Sequence, residues 1–232
     1  MRPLKMFDIT ERDQYTVNIF SDASFKNGNR GSFGAISIYR GERLAESVKD
    51  YQTNGQSVNS LEIRGIMEAI NLAFYARRHV YDKYQFDQIN AINIFSDSSY
   101  AVSAIKNYLF NPQSWDWNYE DKCYYKKKKP IPNQNLIIEA SNMIWKYNQI
   151  YYGYPFGLFW CPAHIYKNNQ LPKALRQFKR INCKGCDEII SLDYMRKVCI
   201  SNDKIDRMVQ DTAQNRDTSK TVYTPIEFYY GP

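Results

Sequence analysis

The chain has 232 residues, enough to bury a sizeable core without disulfides, and its 44% hydrophobic and 16% aromatic content excludes a disordered chain. Its net charge of +7, from 31 basic and 24 acidic residues, suits a polyanionic partner without demanding one. Five irregularly spaced cysteines exclude a secreted disulfide framework, and no apolar run reaches the ~18 residues of a membrane span. The opening, MRPLKMFDITERDQY, is charged and lacks a signal-peptide core, so an intracellular monomer with no membrane attachment is expected.

Residues 15–52 read as three strands: YTVNIFS, then GSFGAISIYR after the turn KNGNRG, then RLAESVKDYQ after YRGE. The short turns favour antiparallel neighbours. From Asn59 the period becomes helical, with Ile66, Ile70 and Ala73 on one stripe. AINIFSD (91–97) is again a strand, and SSYAVSAIKNYLF (98–110) a helix leaving its end. A polar, lysine-rich connection (111–133) leads to the helix NLIIEASNMIWKYNQI and the short strand GLFWCPA (157–163). Residues 165–201 are less regular, and NDKIDRMVQDTA (202–213) is a last helix. The expected fold is therefore α/β: a mixed five-stranded sheet, its first three strands antiparallel, with helices packed on it. Residues 1–14 read as an extension, 15–215 as the folded domain and 216–232 as a tail.

The chain writes one phrase twice, NIFSDASF (18–25) and NIFSDSSY (93–100). In each, Asn and Phe share one face of a strand and Ile takes the other, and an aspartate, Asp22 or Asp97, follows at the end. One copy opens a hairpin and the other a crossover, which argues against an internal repeat. Asp97 could instead cap the following helix, and Asp22 could start a turn. Asn59 and Glu62 have the offset of a capping box, while a first-turn Glu can also point toward strand-end aspartates.

The ordered set DAS, GSFGA, NSLEIRGIMEAI, FSDSSYAVSAI, FWCPAH and NDKIDRMVQDTA resembles the ribonuclease H family, type 1, over almost all of residues 15–213. The resemblance implies a ribonuclease H-like fold and a metal-dependent endonuclease that cuts the RNA strand of RNA–DNA hybrids, leaving 3′-hydroxyl and 5′-phosphate ends. It implies that Asp22, Glu62, Asp97 and Asp206 hold two Mg²⁺ ions, with Mn²⁺ as substitute, and that His164 assists turnover. Two such ions can stabilise both the attacking water and the leaving oxygen. Asp203 and Asp211 are rivals to Asp206 as fourth ligand. Two alternatives stay open: a nuclease of this fold for a DNA junction or duplex, and a non-catalytic nucleic-acid-binding module.

For substrate binding, the resemblance assigns Asn59 to the sugar edge, and Asn27 and Ser57 to a DNA-strand phosphate. An arginine common in the family is replaced by Ser60. Segment 111–133 stands where the family has a basic protrusion, so Lys126, Lys127, Lys128 and Lys129 would neutralise phosphates and Trp115 or Trp117 would stack on sugars. A solvated charge run is the bland reading. The chain departs from the pattern at 165–201, an insertion before the last helix. It carries Cys183, Cys186 and Cys199, for which a cysteine-bearing helical insert is favoured over a structural Zn²⁺ site. It also carries Lys173, Arg176, Lys179 and Arg180, which could extend the nucleic-acid surface or bind a protein partner.

Overall fold

Three strands come first, β1 (Thr16–Lys26), β2 (Arg30–Tyr39) and β3 (Glu42–Gln52), each antiparallel to the next. The β2–β3 turn is two residues, Arg40 and Gly41, both at positive φ (53° and 80°), which matches the twist a tight hairpin needs. The coordinates are a computed structural model that describes residues 15–26, 30–52, 57–84, 89–152, 154, 156–165, 168–182, 190–214 and 220–221. Helix α1 (Val58–Tyr84) follows, then β4 (Ala91–Ser96), α2 (Ser99–Phe110), the short strands β5 (Asp116–Asn118), β6 (Cys123–Lys126) and β7 (Lys129–Pro130), and α3 (Gln134–Ile150). Strand β8 (Phe156–Trp160), α4 (Leu171–Asn182), α5 (Leu192–Gln214) and the two-residue β9 (Lys220–Thr221) complete the described elements.

The main sheet has the order β8-β4-β1-β2-β3-β9, with β1, β4 and β8 mutually parallel. Its five principal strands form the mixed sheet expected, and β9 adds a short antiparallel edge on β3. Alternation along the strands splits the core in two. Ile19 and Ile94 face a cluster built with α1, α2 and α3, including Ile63, Ile105 and Ile144. Phe20 and Phe95 face the other side, against Phe178 of α4 and Ile205 of α5. Each such fully buried side chain contributes roughly 1.5–3 kcal/mol of burial free energy. Among the described residues no helix is long and apolar enough to cross a membrane.

Two segments differ from expectation. The last helix begins at Leu192, ten residues before Asn202, because Tyr194, Met195, Val198 and Cys199 continue the same buried stripe as Asn202, Ile205 and Val209. Among its described residues, the insertion holds α4 and the first turns of α5. Segment 111–133 is not a plain connection but a three-stranded antiparallel ribbon, β5-β6-β7. Its β6–β7 turn places Lys127 and Lys128 at positive φ (50° and 64°), positions where Asn-Gly is the usual choice.

Candidate active site

The doubled phrase lies side by side. β1 and β4 pair in parallel with Asn18 opposite Asn93, Phe20 opposite Phe95 and Ser21 opposite Ser96. The two phenylalanine rings stack at 5.0 Å and 15°. Asp22 and Asp97 follow at the end of that pairing. β1 runs on to Lys26 against β2, where Asp22 opposes Gly34, so Asp22 sits at the end of its parallel partner rather than of its own strand. That removes the turn-starting reading of Asp22. The helix-cap reading of Asp97 goes as well, because Ser98 is the cap of α2 and accepts from the Ala101 amide at 3.2 Å.

Glu62 comes to the same point through α1. Gly65 lets the helix lie directly on β1: a Cβ there would stand 3.0 Å from the Asp22 carbonyl oxygen. One turn earlier, Glu62 therefore faces the strand ends. Its capping-box reading fails because Asn59 is already inside the helix, which begins at Val58. Asp22, Glu62 and Asp97 each offer a carboxylate oxygen, all within 4.8 Å of one another.

Three carboxylates this close, and this poorly hydrated, resist ionisation. Burial first, then the neighbouring Asp97, pushes Asp22 up to about 8, against a hydrogen bond from the Ala23 amide (2.7 Å) that favours the charged form. Glu62 is raised well above the carboxylate range by burial and by Asp22, and its buried Oε2 has no hydrogen-bond partner among the described residues. Asp97 is raised by burial, with a hydrogen bond from Asn202 opposing the shift. Hard oxygen donors at this spacing, one of them unpartnered, fit a divalent cation such as Mg²⁺ or Mn²⁺.

α5 closes the rim. Asp206 is half-buried beside the triad and raises both Asp22 and Glu62, but lies outside the group that shares one 4.8 Å radius. The His164 Nδ1 stands 3.7 Å from Asp206 Oδ2, and the Gln210 amide donates to Asp206 Oδ1. Asp203, one turn back, accepts from the His164 backbone amide and is raised by burial. Asp211 is exposed. Sequence reading missed the supports behind these groups. Cys161 Sγ donates to Asn202 Oδ1 at 3.2 Å, and the Trp160 indole donates to the Asp97 carbonyl at 3.0 Å. The fragment FWCPAH spelled out Trp160 and Cys161, but nothing in it signalled that they would brace Asp97.

Of the expected substrate contacts, Ser57 and Asn59 are exposed at the start of α1, next to the Glu62 turn. Asn27 lies outside the described residues, as do Cys183 and Cys186. Cys199 is buried on α5, and burial with Asp203 nearby pushes its thiol up to about 12, an environment that disfavours a metal-binding thiolate. Trp115 is buried at 7% exposure, its indole donating to Asn107 Oδ1 and its ring packed on Tyr108 and Tyr124, so it braces the ribbon instead of offering a stacking face. Trp117, at 44%, is the more exposed of the two. Lys126 also bonds Asn107 Oδ1 (2.6 Å), while Lys127, Lys128 and Lys129 are exposed. A cavity of about 660 Å3 lies along the first half of β1, lined by Asn18, Arg40, Tyr194 and Lys197 among others, and does not include the carboxylates.

The chain is similar in sequence to known proteins. Ribonuclease HI of Haemophilus influenzae is 26% identical over 132 residues, 56% of this chain and 71% of its own. Ribonuclease H of Mannheimia succiniciproducens is 25% identical over 129 residues, 55% of this chain and 68% of its own. Among solved structures, a ribonuclease H1 isolated from compost is 13% identical, with a TM-score of 0.41 over 72% of this chain and 96% of that one. The sequence pattern described as RNase H matches residues 14–174, more than half of the 232, and the chain therefore belongs to the RNase H family.

Proposed function

We propose that the protein is a divalent-metal-dependent endonuclease that hydrolyses the RNA strand of RNA–DNA hybrids. The observation that carries this reading is the Asp22–Glu62–Asp97 triad, one buried and two half-buried carboxylates within 4.8 Å of one another at the strand ends of an RNase H family member. The triad, with Asp206 at its rim, would hold two Mg²⁺ ions, with Mn²⁺ able to substitute. Such ions, when bound, stabilise charge on an attacking water and on the leaving oxygen of a phosphodiester.

The chain's own residues do the rest. Ionised Asp22, Glu62 and Asp97 repel one another, so the site gains most from cations when it is fully deprotonated. Asn202 and Trp160 hold Asp97 at its side chain and backbone. His164 stands on a left-handed backbone (φ 55°) with its ring 56% exposed, which sets a proton carrier beside Asp206 at the solvent edge. Asn59, exposed one turn before Glu62, would read a sugar edge and its 2′-OH, and Ser57 would contact a DNA-strand phosphate. Trp117 and the exposed lysines of the ribbon would grip the duplex away from the cut.

A labelled RNA–DNA hybrid, a DNA duplex and an RNA duplex incubated in parallel with Mg²⁺ test the reading. The RNA strand of the hybrid is expected to be cut, with Asp97→Asn slower by about a thousandfold or more, since metal stabilisation of the transition state is worth several kcal/mol. An intact hybrid, or faster cutting of either other duplex, overturns it.

A further inference from the structure

We propose that α4 forms a second phosphate-contacting surface, binding a nucleic-acid duplex beside the acid cluster through Lys173, Arg176, Lys179 and Arg180. This rests on the nucleic-acid reading above and adds a surface to it. The helix LPKALRQFKRIN carries four cations and no acid. Helix-dipole stabilisation accounts for Lys179 and Arg180 in the last turn. It does not account for Lys173, which sits in the first turn, where a cation is disfavoured and where no acidic residue offsets it.

The packing holds these charges outward. Leu171, Ala174 and Phe178 are buried, Phe178 against Phe95, which leaves Lys173, Arg176 and Arg180 exposed along one side with Lys179 half-buried beside them. Among the described residues, none of the four has a carboxylate within 4.0 Å; on α5, by contrast, Arg196 and Lys197 both pair with Asp193. Seven residues from Lys173 to Arg180 rise about 10 Å, the span of roughly three phosphates of one strand.

The stripe is fixed to the catalytic edge. Asn182, the last residue of α4, accepts from the Trp160 amide (2.9 Å) and donates to the Trp160 carbonyl (2.7 Å), and the Trp160 indole holds the Asp97 carbonyl. The family pattern matches as far as residue 174, so Arg176, Lys179 and Arg180 lie outside the matched stretch. An acidic protein partner fits less well, because protein interfaces centre on buried apolar or aromatic anchors and the only aromatic ring of α4, Phe178, is already in the core.

The test uses the full chain with all four residues changed to Gln, beside a charge-conserving variant (K173R, R176K, K179R, R180K). Affinity for a hybrid and for a DNA duplex of equal length is measured from about 0.05 to 0.3 M salt. The Gln variant is expected to bind both roughly 10- to 100-fold more weakly near 0.15 M, with a salt slope reduced by about 2–3, and the charge-conserving variant to match the wild type. Equal slopes and affinities in a Gln variant that melts like the wild type overturn the proposal; if that variant instead loses binding to a polyglutamate peptide, the surface serves an acidic protein. A duplex-binding slope that falls as expected in a protein that cuts no hybrid sinks the proposed function and keeps the surface. Hybrid cleavage with an unchanged slope does the reverse.

Discussion

The acid triad and the β5–β7 ribbon are both concentrations of like charge, and they are built in opposite ways. The triad is assembled from three distant parts of the chain, each carboxylate held where the core puts it and largely out of water. The ribbon is local, its lysines solvated on a turn, and Trp115 and Lys126 tie it to α2 through Asn107. Burial is what separates the two: a like charge costs little in water and a great deal beside its neighbours in a core. In the triad the cost of like charge falls on the whole fold, whereas the ribbon's cost is one of backbone conformation at Lys122, Lys127 and Lys128.

That contrast can be broken from the ribbon side first. Trp115→Ala should destabilise the protein by about 3–5 kcal/mol, as loss of a packed indole does, whereas Trp117→Ala should change stability by about 1 kcal/mol or less. Thermal or denaturant unfolding of the two variants checks this, and the Trp117 variant should show its defect in hybrid affinity instead. If both tryptophans cost the same, the ribbon is not divided into an anchored inside and an offered outside.

A smaller effect sharpens the same point. Lys127 and Lys128 occupy positive-φ positions that favour Asn and Gly, at a cost of about 1 kcal/mol each. Lys127→Asn with Lys128→Gly should therefore raise stability by about 1–2 kcal/mol while weakening hybrid binding most at low salt. A double variant that gains stability and keeps its affinity would show that the lysines are there for neither reason.

Much of this was legible in the sequence where a period and a chemical demand coincide. The repeated Asn-Ile-Phe-Ser-Asp gave away two strands with the same two faces, and they lie in register as neighbours. Glu62 could be seen only as an acid near a helix start, because the close approach at Gly65 that turns it toward Asp22 is a property of the packing. The ribbon was hidden because its strands are two to four residues long and its turn carries lysines where a turn signal would stand. The start of α5 was hidden by a polar opening, and its stripe becomes plain only once Tyr194, Met195 and Val198 are seen against the sheet.

If the triad holds a cation as proposed, the burial and mutual repulsion of its carboxylates weigh on the fold until the cation relieves them. Asp22 is raised from 3.8 to about 8, so the folded protein favours its protonated form. The stability Asp22 contributes is then full below pH 4 and lost as pH rises to about 8; Glu62 and Asp97, raised for the same cause, add in the same direction. The decisive measurement is Tm between pH 5 and 8.5, with and without Mg²⁺, for the wild type and Asp22→Asn. The wild type without Mg²⁺ should lose Tm toward pH 8 and regain it with the ion, and Asp22→Asn should show a flatter profile and little response. Identical profiles for the two proteins, with no effect of Mg²⁺ on the wild type, would contradict the account.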